Sequence, residues 1–167
     1  MTEKLNIETV NQMSQAEFVA QFGAVFEETP AIAHHTWTHR PFSSRAALYR
    51  SMVATLKALS PDAQLALIQA HPDLGSRAKM AEASVQEQSG AGLHQLTAAE
   101  YERFQTLNAA YKDQFGFPFI LAVKGHTLST ILAAFEARLQ HDLAQEKAQA
   151  LAEIAEIARF RLDDLVN

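Results

Sequence analysis

The 167-residue sequence contains no cysteine. That absence excludes disulfides, a thiol nucleophile and the cysteine-built zinc and iron–sulfur sites. Glycine and proline are scarce, at six and five residues. The remainder is rich in Ala, Leu, Glu and Gln, which lose little side-chain freedom in a helix. Positive charge is in deficit: 14 Lys and Arg face 19 Asp and Glu, a formal charge of −5. A surface of that sign carries no electrostatic footprint for nucleic acid or an anionic membrane. No apolar run approaches the length of a membrane span, and Met1–Leu5 has no apolar signal core. Leu165-Val166-Asn167 is not the Ser-Lys-Leu peroxisomal address. GxSxG, phosphate-loop and dinucleotide fingerprints are also missing. The expectation is a cytoplasmic protein with neither a nucleic-acid nor a membrane partner.

Apolar residues make up 48% of the chain, enough for one domain over residues 1–167 with a sizeable core. Helix starts recur. Ser14-Gln15-Ala16-Glu17 is a capping box, followed at helical spacing by Phe18, Phe22, Val25 and Phe26. Thr29-Pro30 opens a short helix. Ser43 or Ser44 starts one with Leu48, Met52, Leu56 and Leu59 on one face, and Ser60-Pro61-Asp62 starts another through Leu65 and Ile68. That helix ends at His71-Pro72, because a residue before proline is pushed out of helical geometry. Thr97-Ala98-Ala99-Glu100 is a further capping box, for a helix through Phe104, Leu107 and Tyr111 to Gly116. Phe117 to Val123 is apolar but contains Pro118, which predicts a buried extended connector near 117–123. Helices from Thr127 and from about Asp142 to Leu165 complete an all-α, multi-helix domain.

Three groups of polar residues sit oddly in this pattern. Arg161 falls in the centre of the stripe formed by Ile154, Ile157, Ala158 and Leu165. It is a snorkelling arginine, the partner of a buried carboxylate, or an anion clamp whose planar guanidinium grips a carboxylate or ureido group. His71 is a plain helix terminator, or an acid–base group at the head of a turn-rich loop. Ser84-x-x-Glu87-Gln88 is an ordinary capping box, or a serine, carboxylate and amide presented together to a urea-like molecule. His35 and His39, four apart with His34 beside them, lack a third ligand for a metal site. The residues by themselves say "helical domain with a candidate polar pocket".

His71-Pro72-Asp73-Leu74-Gly75, Ser84-x-x-Glu87-Gln88 with Ala91-Gly92-Leu93, Phe117-Pro118-Phe119-Ile120 and Arg161-Leu162 follow in an order and spacing that resembles one family. These are the 2-oxo-4-hydroxy-4-carboxy-5-ureidoimidazoline (OHCU) decarboxylases, and Arg40-Pro41-Phe42 after Trp37 looks like their N-terminal signature. The resemblance spans nearly the whole chain. It implies an all-α fold, usually a homodimer, with no metal or organic cofactor, and the last step from urate to (S)-allantoin. It places the catalytic histidine at His71 and its acidic partner at Glu87. Substrate binding falls to Pro72, Ser84, Gln88 and Arg161, with backbone contacts around Phe119 and Ile120. The small-molecule partner it implies is the ureidoimidazoline acid. Two other readings stand beside it: a non-catalytic helical interaction module, and a hydrolase of a related ureido ring compound.

Overall fold

The computed structural model describes residues 3–75, 92–93 and 96–167. Among them every regular element is helical: α1 (Ile7–Gln12), α2 (Gln15–Phe22), α3 (Ala31–Thr36), α4 (Arg45–Ala58), α5 (Pro61–Gln69), α6 (Ala98–Phe115), α7 (Leu128–Arg138) and α8 (Leu143–Leu165). Short 3-10 turns occupy Gly23–Val25 and Trp37–His39. The one β-type pairing among the described residues is an isolated bridge between Leu5 and Val166.

The helices begin where side chains satisfy their first, unpaired N–H groups. Ser14 Oγ accepts from the Glu17 N–H while the Glu17 carboxylate accepts from the Ser14 N–H. Thr97 and Glu100 make the same reciprocal pair at α6, and Thr127 with Thr130 does so at α7. Ser44 and Ser60 cap α4 and α5 through Ala47 and Ala63. At the far end of α6, Gly116 takes the left-handed conformation (φ 81°) and returns its N–H to the Lys112 carbonyl. One boundary and one element differ from the sequence reading. The helix from Ser14 stops at Phe22 and passes into a 3-10 turn, with Val25 and Phe26 buried beyond it. α1, capped by Asn6, was not anticipated, since six residues with one buried side chain show no periodicity.

The chain divides into two compact units, residues 1–67 with 155–167, and residues 68–154. In the first, Phe18 packs on Phe22 and Phe42 at ring separations of 4.7 and 6.3 Å. Arg40 lies over the Trp37 ring at 3.9 Å and donates to the carbonyls of Asn11, Met13 and Trp37. The Asn11 amide exchanges two hydrogen bonds with the Phe42 backbone. The Arg-Pro-Phe signature is therefore a structural staple that joins the end of α1 to the segment entering α4. The C-terminus is tied in by the Leu5–Leu165 and Asn167–Leu5 backbone bonds and by Arg45 donating to the Val166 carbonyl.

The second unit is built on aromatic rings. Phe119 stacks on Phe135 at 3.8 Å and 19°, and Phe104 meets Phe135 edge-on at 5.9 Å. Tyr111 packs against Phe115, Phe117 and Phe119. Residues 117–123 are all buried and adopt no regular structure, the extended connector the sequence predicts. Among the described residues no helix is long and apolar enough to cross a membrane.

Candidate functional site

α5 ends at Gln69, and His71 follows with its backbone N–H donating to the Ile68 carbonyl at 3.3 Å. The histidine is buried, at 9% exposure. The loop it heads is anchored by one face of α6. Lys112 Nζ pairs with Asp73 Oδ2 at 2.8 Å, Asn108 Nδ2 donates to the Leu74 carbonyl at 2.9 Å, and Phe104 lies against Gly75. Gly75 is at φ 69°, and a Cβ there would sit 3.1 Å from Leu96 Cδ1 and 3.4 Å from the Phe104 ring. Phe104, Asn108 and Lys112 are spaced by four, which puts them on one helical face.

The connector is anchored differently, by charge. Arg138, at the end of α7, donates through Nη1 to the Ile120 carbonyl, and its guanidinium lies 4.3 Å from the centre of the Phe119 ring. Its Nε donates to Glu146 Oε1 at 2.8 Å. Glu146 is fully buried and also accepts from the Tyr111 hydroxyl at 2.5 Å, while its second oxygen lies 2.8 Å from His141 Nδ1. A carboxylate without water costs several kcal/mol unless such bonds replace its hydration. Burial, and next the hydrogen bond to Glu146, push the Tyr111 hydroxyl well above its ordinary pKa, with Arg138 opposing. Tyr111 is therefore a permanent donor at neutral pH. From Phe119 to Val123 the main chain makes few hydrogen bonds with the described residues: Ile120 C=O to Arg138, and Val123 C=O to the His126 N–H.

Arg161 lies in the other unit, 7% exposed. Its Nη2 donates to Glu27 Oε1 at 2.9 Å, and Nη1 reaches the Ala24 and Val25 carbonyls at 3.3 and 3.4 Å. The buried-carboxylate reading of Arg161 is thus realised, by a partner that no periodicity in the sequence reveals. His34 and His35 are exposed with their rings edge to face at 5.7 Å, and His39 Nδ1 lies 3.3 Å from Ser51 Oγ. Among the described residues no three His, Cys, Asp or Glu side chains converge as metal ligands would.

Of the site residues anticipated from sequence, His71 and Pro72 stand on the α6-anchored loop, and Phe119 and Ile120 on the connector of the same unit. Ser84, Glu87 and Gln88 lie outside the described residues. The sequence reading missed Asn108, Arg138 and Glu146. Arg138 carries the same signal that singled out Arg161, a charge in register with apolar Ile131 and Phe135, and Glu146 stands in register with Ala150 and Ile154.

These features are those of an all-helical protein with a buried histidine at the head of an anchored loop and an aromatic connector held by an ion pair. The profile of the OHCU decarboxylase family matches residues 11–163. The chain belongs to that family. A protein of Halalkalicoccus jeotgali named 2-oxo-4-hydroxy-4-carboxy-5-ureidoimidazoline decarboxylase is 46% identical over 162 residues, covering 97% of this chain and 92% of the relative. The uric acid degradation bifunctional protein PucL of Bacillus subtilis is 46% identical over 161 residues, which are 96% of this chain and 33% of PucL. The crystal structure of an (S)-allantoin synthase superposes with a TM-score of 0.81 at 32% identity, over 98% of this chain and 54% of that one.

Two outcomes are expected from the buried network. Arg138→Met leaves Glu146 charged and underpaired, and chemical denaturation should show a loss of about 3–5 kcal/mol, part of it recovered when Glu146→Gln is added. The folded state also keeps the Tyr111 proton above pH 10.0, where an unfolded tyrosine has begun to lose it. The corresponding stability is complete below that pH and declines above it, so the melting temperature should fall more steeply in alkali for the wild type than for Tyr111→Phe.

Proposed function

We propose that this chain decarboxylates 2-oxo-4-hydroxy-4-carboxy-5-ureidoimidazoline to (S)-allantoin in uric acid degradation, acting without a cofactor as a single domain over residues 1–167. The observation that carries this reading is 46% identity across 97% of the chain to a relative bearing that activity as its name. The uric acid name of PucL and the product in the synthase's name agree with it. The family match also crosses both units, in keeping with one functional domain.

The substrate's own structure supplies the electron sink. One ring carbon carries both the hydroxyl and the carboxylate, and the neighbouring carbon is joined to nitrogen by an imine-type double bond. Breaking the carboxyl bond releases carbon dioxide and sends the electron pair into the ring, giving an enol whose nitrogen picks up a proton. The enol hydroxyl then loses its proton as a carbonyl forms, and the ureido-bearing carbon gains one. That last protonation creates the stereocentre. Overall one carboxylate and one proton become carbon dioxide and allantoin.

In this scheme His71 is the general acid–base that manages the hydroxyl proton and protonation on a single face. Glu87 orients the imidazole or holds the ureido N–H groups. Pro72, Ser84 and Gln88 fix the ring and ureido tail, main-chain groups at Phe119 and Ile120 contact the substrate, and Arg161 takes an anionic or carbonyl oxygen. The few main-chain partners found around Phe119 among the described residues support its part, since a segment that binds a ligand keeps polar groups in hand. Holding the carboxylate perpendicular to the ring accounts for much of the acceleration, because orientation is worth up to about 7–11 kcal/mol. The chain acts in the cytoplasm as a homodimer, a state that sedimentation resolves from the 18.4 kDa monomer.

His71→Ala should fold and melt as the wild type does while losing accelerated release of carbon dioxide. Wild-type release from His71→Ala contradicts the role, and a ring-opened product with no carbon dioxide points to a hydrolase instead. Arg161→Ala should lose activity and also about 3–5 kcal/mol of stability, since it strands Glu27. Unchanged kinetics from a folded Arg161→Ala would remove Arg161 from the substrate's partners.

A further inference from the structure

Asn108 has no part in the chemistry described so far, yet its surroundings are unusual. It is 2% exposed, on the buried face of α6. Its Nδ2 donates to the Leu74 carbonyl at 2.9 Å, but its Oδ1 is buried with no hydrogen-bond partner among the described residues. Exchanging the two amide atoms would set two acceptors against each other at Leu74, so this bond fixes the amide's orientation. An unsatisfied buried oxygen lowers stability, and a leucine of similar volume would fill the same space without one. The amide thus serves the Leu74 carbonyl rather than the core.

That carbonyl lies three residues after His71, on the loop the histidine heads. His71 is fastened at one end by its N–H to the Ile68 carbonyl. At the other end Asn108 is a buried anchor, Lys112 binds Asp73 at the surface, and Gly75 at φ 69° turns the chain closely past Phe104. A loop held at both ends has one conformation to offer its first side chain. Loss of the Leu74 bond removes one of these ties from the buried side.

We propose that Asn108 is a positioning residue for the decarboxylation, setting the His71 imidazole by holding the Leu74 carbonyl; the inference rests on His71 being the acid–base group of that reaction. The bond acts on geometry, not on substrate affinity, so its loss falls on kcat. A displacement near 1 Å of a catalytic group costs up to about a hundredfold. Loosening the loop also changes the surroundings of a buried acid–base residue, so the pH–kcat profile is a second readout beside kcat.

The test is steady-state kinetics with freshly generated substrate on Asn108→Ala and Asn108→Asp, with thermal melts alongside. The aspartate keeps the volume but has no N–H to give Leu74. Both variants are expected to lower kcat by about 10–100-fold, to change KM by less than about threefold, and to shift the midpoint of the pH–kcat profile by about half a unit or more. Ile131→Val, a core change on α7, provides a destabilised control that should keep the wild-type kcat and midpoint. Lys112→Met, at an exposed ion pair that cannot endanger the fold, is expected to lower kcat by about two- to fivefold with a shift in the same sense. Asn108 variants with wild-type kcat and midpoint, or with losses that Ile131→Val reproduces, overturn the proposal. If neither Asn108 variant folds, wild-type kinetics in Lys112→Met overturn it and a shifted profile upholds it. If the wild type itself fails to accelerate decarboxylation, the functional reading falls and the role of Asn108 with it; an active wild type with indifferent Asn108 variants removes the positioning role alone.

Discussion

The buried pair of Arg138 and Glu146 is the constraint on which the second unit depends. One carboxylate with no exposure gathers a guanidinium from α7, a phenol from α6 and an imidazole from the turn before α8. The same guanidinium holds the Ile120 carbonyl and covers Phe119. An apolar replacement of such a pair is often as stable or more so. What the charges add is placement: a connector with no ladder and little helix character acquires a definite course because one polar group reaches into it from a rigid helix. α6 completes the arrangement, since Asn108 and Tyr111, three residues apart, reach the His71 loop and the carboxylate respectively.

α8 shows the same device at both ends of one apolar stripe. Ala150, Ile154, Ile157 and Ala158 are buried along it, with Glu146 before them and Arg161 after. Each charge is neutralised inside its own unit, Glu146 by Arg138 and Arg161 by Glu27. Neither is a surface ion pair of marginal value. Both are desolvated, so the loss of one partner is felt far more than the loss of both.

Much of this was legible in the sequence. Capping boxes at Ser14 and Thr97 mark helices because a side chain must satisfy the first N–H groups, and that chemistry is local. The connector at 117–123 was legible because Pro118 forbids a helix while the surrounding apolarity demands burial. His71 at a helix exit followed from the proline after it. What escaped was whatever depends on pairing across the fold. Arg138 stands out on its wheel as Arg161 does, but Glu27 sits on an irregular segment after Val25 and Phe26, with no period to betray it. Asn108 reads as an ordinary polar residue until the Leu74 carbonyl is seen in front of it. α1 was too short to show a pattern at all.

The central claim is that His71 and its companions deliver a proton to one face of the decarboxylated ring. Its most direct measurement is circular dichroism of allantoin as it forms, from substrate generated in place, with and without the protein. The account predicts rapid appearance of a single-enantiomer (S) signal with the protein, against slow, optically silent product without it. Product that is racemic from the first seconds and forms at the spontaneous rate would contradict the account.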